Sequence, residues 1–146
     1  MIVFNRQANV KWVFSQAEFL PMKYNHIGIP TTSIFEGEID LPHLKITVSD
    51  HENNRFGIQW QRFWDDAPYP DIVKMIPHVA FEVDDLDAAL VGQKIIIHPN
   101  SPSEGVVVAF IEVNGAPVEL MQYVNKHDDH DWAFLNRESH QDAYDR

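Results

Sequence analysis

The sequence predicts an α+β domain built from two related halves, and three observations carry that expectation. A histidine heads an alternating apolar strand twice, in Asn25-His26-Ile27-Gly28-Ile29 and in Pro77-His78-Val79-Ala80-Phe81. Each is followed, a few strands later, by a strand with one polar residue between large apolar neighbours: Ile58-Gln59-Trp60 after the first and Val118-Glu119-Leu120 after the second. The second half reads β-α-β-β-β and the first β-loop-β-β. A repeat of this kind marks two copies of one supersecondary unit, and it puts His26, Gln59, His78 and Glu119 in equivalent positions.

The elements follow in chain order. Residues 1–21 stand outside the repeat as an N-terminal extension; Val10, Trp12, Val13, Phe14, Ala17 and Leu20 fit an amphipathic helix or an added strand equally well. The domain proper spans 22–125, with a first half at 22–66 and a second at 74–125. Tyr24–Ile29 alternates and stops at Pro30. No helix-length segment fits between Thr31 and Glu38. Leu41–Ser49 alternates Leu44, Ile46 and Val48 against His43, Lys45 and Thr47, and reads as one strand. Arg55–Trp64 is a long aromatic-rich strand, and Asp65–Asp71, with Pro68 and Pro70, is the linker between halves. Ile76–Val83 alternates again. Asp84-Asp85 then precedes Leu86, Ala89 and Leu90, a short acid-capped helix ending near Gly92. Lys94–His98, Val106–Val113 and Ala116–Tyr123 complete the strands, the last two joined by the hairpin signal Asn114-Gly115. Residues 126–146 form an acidic C-terminal tail with an apolar knot at Trp132, Phe134 and Leu135.

Composition narrows the chemistry. A chain of 146 residues with 45% hydrophobic content can bury one adequate core. It has no cysteine, so disulfides and thiolate metal sites are excluded and any metal must be held by nitrogen and oxygen. The formal net charge of −11, with no offsetting basic aromatic patch, argues against nucleic acid. No apolar run approaches a membrane span, and Asn5, Arg6, Gln7, Asn9 and Lys11 break up any signal-peptide core. A cytoplasmic protein with no membrane partner is the default expectation. Gly-rich phosphate loops and a Gly-x-Ser-x-Gly elbow are absent, so nucleophilic catalysis has no motif behind it.

Strand alternation places side chains two apart on one face. His26 then shares its face with Gly28, His78 with Ala80, Glu119 with Pro117 and Met121, and Gln59 with Gln61 and Phe63. All four candidates fall on the face away from the helix, and small residues beside the histidines hollow out space. Two imidazoles and a carboxylate suit a divalent Zn, Ni, Fe, Mn or Co ion, with Gln59 as a fourth, weak ligand and open positions for substrate. Each residue taken singly has a plainer reading, as a hydrogen-bonded strand-end histidine or a paired glutamate; the repetition is what favours a shared site. His43 and Lys45 are candidates to orient an anionic substrate in the cup or, equally, a solvated edge. His98 reads as a strand exit, and His127 and His130 as part of the tail. On the opposite face, Ile27, Ile29, Leu44, Ile46, Ile58 and Trp60 lack a helix to cover them. An apolar face that large needs cover, from the N-terminal extension, the Trp132–Leu135 knot or a second subunit, so a homodimer is expected.

These stretches resemble the vicinal oxygen chelate superfamily of glyoxalases, bleomycin-resistance proteins and extradiol dioxygenases. The likeness covers roughly Lys23 to Tyr123 and is carried by Asn25–Ile29, by Pro77–Ala89 with its double aspartate, and by Val108–Leu120 with its hairpin and glutamate. The resemblance implies paired βαβββ modules forming a U-shaped cup around one divalent ion, the first module here lacking its usual helix. It implies metal ligands at His26, His78, Glu119 and Gln59, with Gln61 the fallback ligand or a substrate contact. The expected catalytic proton carrier is Glu119, or a water on the metal. The expected function is a metal-dependent enzyme acting on a small oxygen-rich metabolite through adjacent oxygens. Lyase or isomerase chemistry ranks above ring-cleaving dioxygenation, because ring cleavage calls for a further histidine in the cup and only His43 offers one. The alternative is a metal-free binding protein of the bleomycin-resistance type.

Overall fold

The computed structural model describes residues 20–124, so the readings made for residues 1–19 and for the acidic tail, His127 and His130 included, lie outside the described residues. The described residues form one curled eight-stranded sheet: β1 (Met22–Pro30), β2 (Ile39–Leu41), β3 (Ile46–Val48), β4 (Ile58–Phe63), β5 (His78–Val83), β6 (Ile95–Ser103), β7 (Val106–Val113) and β8 (Ala116–Tyr123). Two short helices are added, α1 (Asp71–Met75) and α2 (Leu86–Leu90). The strand order is β2-β3-β4-β1-β5-β8-β7-β6. Read outward from the central β1/β5 pair, the halves mirror each other. β1 pairs in parallel with β4 and β5 in parallel with β8, while β1 and β5 run antiparallel. The duplicated α+β cup is thus present, and the first half carries no helix between β1 and β2.

The second half builds its core as its pattern dictates. Asp85 accepts the Ala88 amide at 3.0 Å and caps α2. Leu86, Ala89 and Leu90 pack on Val107, Ala109, Ile111 and Leu120, with Phe81 and Val118 at the edge. The β7–β8 turn needs positive φ at both central residues, and Asn114 (50°) and Gly115 (79°) supply it. In the first half the outer face holds the pairs Ile27/Ile58 and Ile29/Trp60, with Trp60 37% exposed. Residues 31–38 are drawn toward that side by Arg62, which pairs with Glu38, bonds the Ser33 carbonyl at 3.2 Å and lies over the Phe35 ring.

Three elements differ from the expectation. The strand read over Leu41–Ser49 is broken: Pro42 opens a 3₁₀ turn through Leu44, and Lys45 sits in the left-handed region at φ 52°. Proline supplies no ladder N–H, and the left-handed residue interrupts the strand. Leu44, Ile46 and Val48 still keep to one side, but it is the inner one: Ile46 and Val48 pair with Phe63 and Gln61, and all three line the cup instead of the outer face. Secondly, the linker runs into α1, whose Val73 is buried. Lastly, β6 extends to Ser103, well past His98, through repeated register shifts against β7.

Candidate metal centre and cavity

The central antiparallel pair sets the site. Ile27 lies opposite Val79, His26 opposite Ala80 and Gly28 opposite His78, so the two histidines flank one local axis. The parallel pairings place Gly28 beside Gln59 and Ala80 beside Glu119, which makes Gln59 and Glu119 equivalent by register. Gln61 pairs two residues further on, with Pro30.

Gly28 is required where it stands. A Cβ there would lie 2.1 Å from His78 Cε1. The absent side chain is the space the imidazole occupies, and the Phe110 ring meets His78 edge-on with centroids 5.0 Å apart. His26 is oriented from behind. The β1/β5 register slips between Tyr24 and His26, leaving Asn25 as the extra residue, and bulges of this kind re-aim side chains. Asn25 Nδ2 donates to the Tyr123 hydroxyl at 3.3 Å, and its Oδ1 accepts from His26 Nδ1 at 2.6 Å. That bond places the His26 proton on Nδ1 and turns Nε2 toward the cup.

Three buried groups meet at this point. Glu119 Oε2 lies 3.0 Å from His78 Nε2 and 3.3 Å from His26 Nε2. One ligand atom from each of the three residues falls within 4.8 Å of the others. Burial alone would raise the Glu119 carboxyl; hydrogen bonding and the charges of His26 and His78 outweigh it and hold it at about 2. His26 Nε2 is buried without a hydrogen-bond partner. His26 Nε2 and Glu119 Oε2 face each other at 3.3 Å, a gap that either a shared proton or a cation would bridge. Two donors each about 2.1 Å from one tetrahedral ion lie about 3.4 Å apart, close to the spacing here. These residues therefore fit a divalent ion, and a buried His26, His78, Glu119 group can bind one.

The group opens into a cavity of about 220 Å³. Gln59 and Gln61 both line it; Gln61 Nε2 donates to Gln59 Oε1 at 2.8 Å. His43 and Lys45 do not line it. His43 is exposed and meets the Pro102 carbonyl at 3.2 Å, while Lys45 pairs with Asp66. With Leu44, Ile46 and Val48 turned inward, both polar residues are left outside. The sequence reading passed over His51. Its ring lies on His26, with centroids 4.4 Å apart, and its Nδ1 is 3.5 Å from Gln59 Nε2. Burial, then the charge of His26, lowers its pKa against the pull of Glu52, Asp50 and Glu119. Strand alternation cannot reveal His51, because it sits in the β3–β4 loop; the local signal is the Asp50…Asn54 turn chemistry, where Asp50 Oδ1 accepts the Glu52 amide and Asn54 Oδ1 the Phe56 amide, each at 2.9 Å.

Among solved structures the chain is similar to the hypothetical protein BH1468 from Bacillus halodurans C-125, at 18% identity and a TM-score of 0.51, over 74% of this chain and 99% of that one. It is also similar to methylmalonyl-CoA epimerase from Mycobacterium tuberculosis, at 19% identity and a TM-score of 0.48, over 70% of this chain and 89% of that one. The likeness to BH1468 shows a shared fold. No protein-family model and no curated protein sequence matches the chain.

Proposed function

We infer that this chain is a divalent-metal-dependent enzyme of the vicinal oxygen chelate superfamily, taking a small molecule by two adjacent oxygens. One observation carries the reading: two imidazoles and one carboxylate from duplicated halves converge, buried, at the floor of a cavity. His26, His78 and Glu119 would hold the ion, with Gln59 at the fourth equivalent position. The bound ion supplies a Lewis acid for a substrate oxygen.

The chain's own residues do the rest. Asn25 keeps the His26 proton on Nδ1 and so keeps Nε2 available. Gly28 makes room for His78. Glu119, held well below the usual carboxylate range by His26 and His78, is a carboxylate in the resting site and so is available to accept a proton. Lyase or isomerase chemistry stays the first reading. Ring cleavage rises beside it, because His51 supplies the cup histidine that the sequence seemed to lack.

Metal analysis of the purified full-length protein tests this. One Zn, Ni, Fe, Mn or Co ion per chain is expected, lost in Glu119→Gln and in His78→Ala variants that keep the wild-type circular dichroism. Screening the loaded protein against α-keto aldehydes, acyl-CoA epimers, epoxides and catechols then separates the reaction classes. Failure of every one of these ions to bind stoichiometrically overturns the reading in favour of a metal-free binding protein.

A further inference from the structure

The cavity uses the inner face of the sheet and leaves the outer face of the first half without a role. Pairing register fixes which side chains share that outer face. Met22 lies opposite Val83 and Tyr24 opposite Phe81, on the side that α2 covers in the second half. Past the bulge, Ile27 and Ile29 continue the row and stand beside Ile58 and Trp60 of β4. The Tyr24 hydroxyl donates to the Phe56 carbonyl at 3.0 Å, which ties the end of the β3–β4 loop to the same row. Among the described residues Met22, Tyr24, Phe56 and Trp60 are all exposed, Met22 at 51%. A contiguous apolar surface of this kind marks a contact site.

Three occupants are available: residues 1–19, residues 125–146 and a second copy of the chain. Position favours the first. β1 begins at Met22, on the face itself, so residues 1–19 are joined to it through residues 20 and 21 alone. A segment tethered this closely is held at an effective concentration on the order of millimolar, which a second copy does not reach at ordinary protein concentrations. Reach is sufficient. From Met22 to Ile29 the strand rises about 23 Å, and 19 residues cover about 28 Å even at the short helical rise. Residues 125–146 leave from beside Tyr123, whose hydroxyl meets Asn25, so reach does not exclude them.

Charge separates the candidates. Residues 20–124 carry six basic and fifteen acidic side chains, and residues 125–146 three basic and six acidic. Residues 1–19 carry Arg6 and Lys11 against Glu18, the one part of the chain with a positive balance. They also bring Phe4, Val10, Trp12, Val13, Phe14 and Phe19. A second copy or the acidic tail would add negative charge to a negative body, whereas this segment adds apolar surface and the opposite sign.

We propose that residues 1–19 dock on the outer face of the first half, their apolar side chains against Met22, Tyr24, Ile58 and Trp60. The chain then supplies from its own N-terminal side the cover that α2 gives the second half. Nothing in this assignment depends on the metal-site reading.

Limited trypsin digestion of the full-length protein, followed by mass spectrometry, tests it. Cleavage after Lys11 reports the segment, cleavage after Lys126 the C-terminal residues, and cleavage after Lys74 global unfolding. In Met22→Ser and in Trp60→Ser, cleavage after Lys11 should be at least tenfold faster than in wild type, with Lys126 and Lys74 unchanged. Met22 is exposed, so its variant keeps the fold even where Trp60→Ser does not. A second readout comes from urea midpoints: the loss caused by Trp60→Ser should shrink by at least half in a Trp12→Ser/Phe14→Ser background. Equal Lys11 rates in wild type and Met22→Ser, or strictly additive midpoint losses, overturn the proposal. Faster cleavage after Lys126 in place of Lys11 gives the face to the C-terminal residues, and Lys11 protection that fades on dilution gives it to a second copy; either also overturns it.

Discussion

The two halves of this sheet share their inner architecture and differ outside it. Each presents a histidine on its first strand and a polar side chain on its last, in matching register. Their outer faces have gone separate ways: α2 seals the second half with Leu86, Ala89 and Leu90, while among the described residues the first has residues 31–38, tied down through Arg62. Their connections differ as well. β7 and β8 are joined by the two-residue turn Asn114-Gly115, whereas a longer loop between β3 and β4 carries His51 into the cavity. The shared geometry is what the cavity needs, and the divergence sits where strand pairing does not constrain it.

Glu119 and Gln59 sharpen this comparison most, since they are equivalent in register but only Glu119 is a carboxylate between two histidines. Glu119→Gln should weaken zinc binding by at least about a hundredfold, and Gln59→Ala by less than about tenfold, measured by competitive chelator titration. Equal losses would break the asymmetry. The zinc-free protein gives a second readout. The Glu119 pKa falls from 4.5 to about 2 on folding. Between those values the unfolded chain binds the proton that the folded protein refuses, so this contribution is complete above pH 4.5 and is lost as pH falls toward 2. The shift corresponds to about 3 kcal/mol. Urea midpoints measured across that window should fall more steeply for wild type than for Glu119→Gln.

Gly28 and Ala80 form the next pair, each lying across from one of the two buried histidines. Gly28→Ala drives a Cβ into His78 and should cost about 2–3 kcal/mol by urea unfolding, with a loss of zinc affinity. The opposite exchange, Ala80→Gly, only loosens the strand and should cost about 1 kcal/mol. A third pair concerns what holds each histidine. Asn25 supports His26, whereas His78 Nδ1 is buried with no partner. Asn25→Ala should therefore reduce zinc affinity by about tenfold while leaving the midpoint in urea nearly unchanged.

The duplication and the four equivalent positions were legible because both are periodic: a histidine-headed strand and a polar residue inside an apolar strand recur, and pairing register carries them into place. Alternation could not say which face of a strand is the inside. Leu44, Ile46 and Val48 look like a hydrophobic underside, yet the cup itself is largely apolar and takes them. With those three inside, His43 and Lys45 fall outside the cavity, the solvated-edge alternative of their two readings. His51 and Asn25 escaped notice because a loop and a bulge, not a period, position them. α1 is too short for a period to show; its buried Val73 is its one apolar anchor in the core.

The outer faces provide the most direct test of how far the halves have diverged. Leu86 is 3% exposed beneath α2, and Leu86→Ala should cost about 3 kcal/mol. Trp60 occupies the helix-free face and is 37% exposed among the described residues. If nothing else packs there, Trp60→Ser should cost about 2 kcal/mol, since nearly two-thirds of its surface is already out of water. A larger loss in the full-length protein would mean that the face is covered in solution. Sedimentation then identifies the cover: a loss that depends on protein concentration and accompanies dissociation assigns it to a second copy, and a loss independent of concentration assigns it to the chain's own terminal segments. Either result would show that the half without a helix recruits the equivalent of α2 from elsewhere.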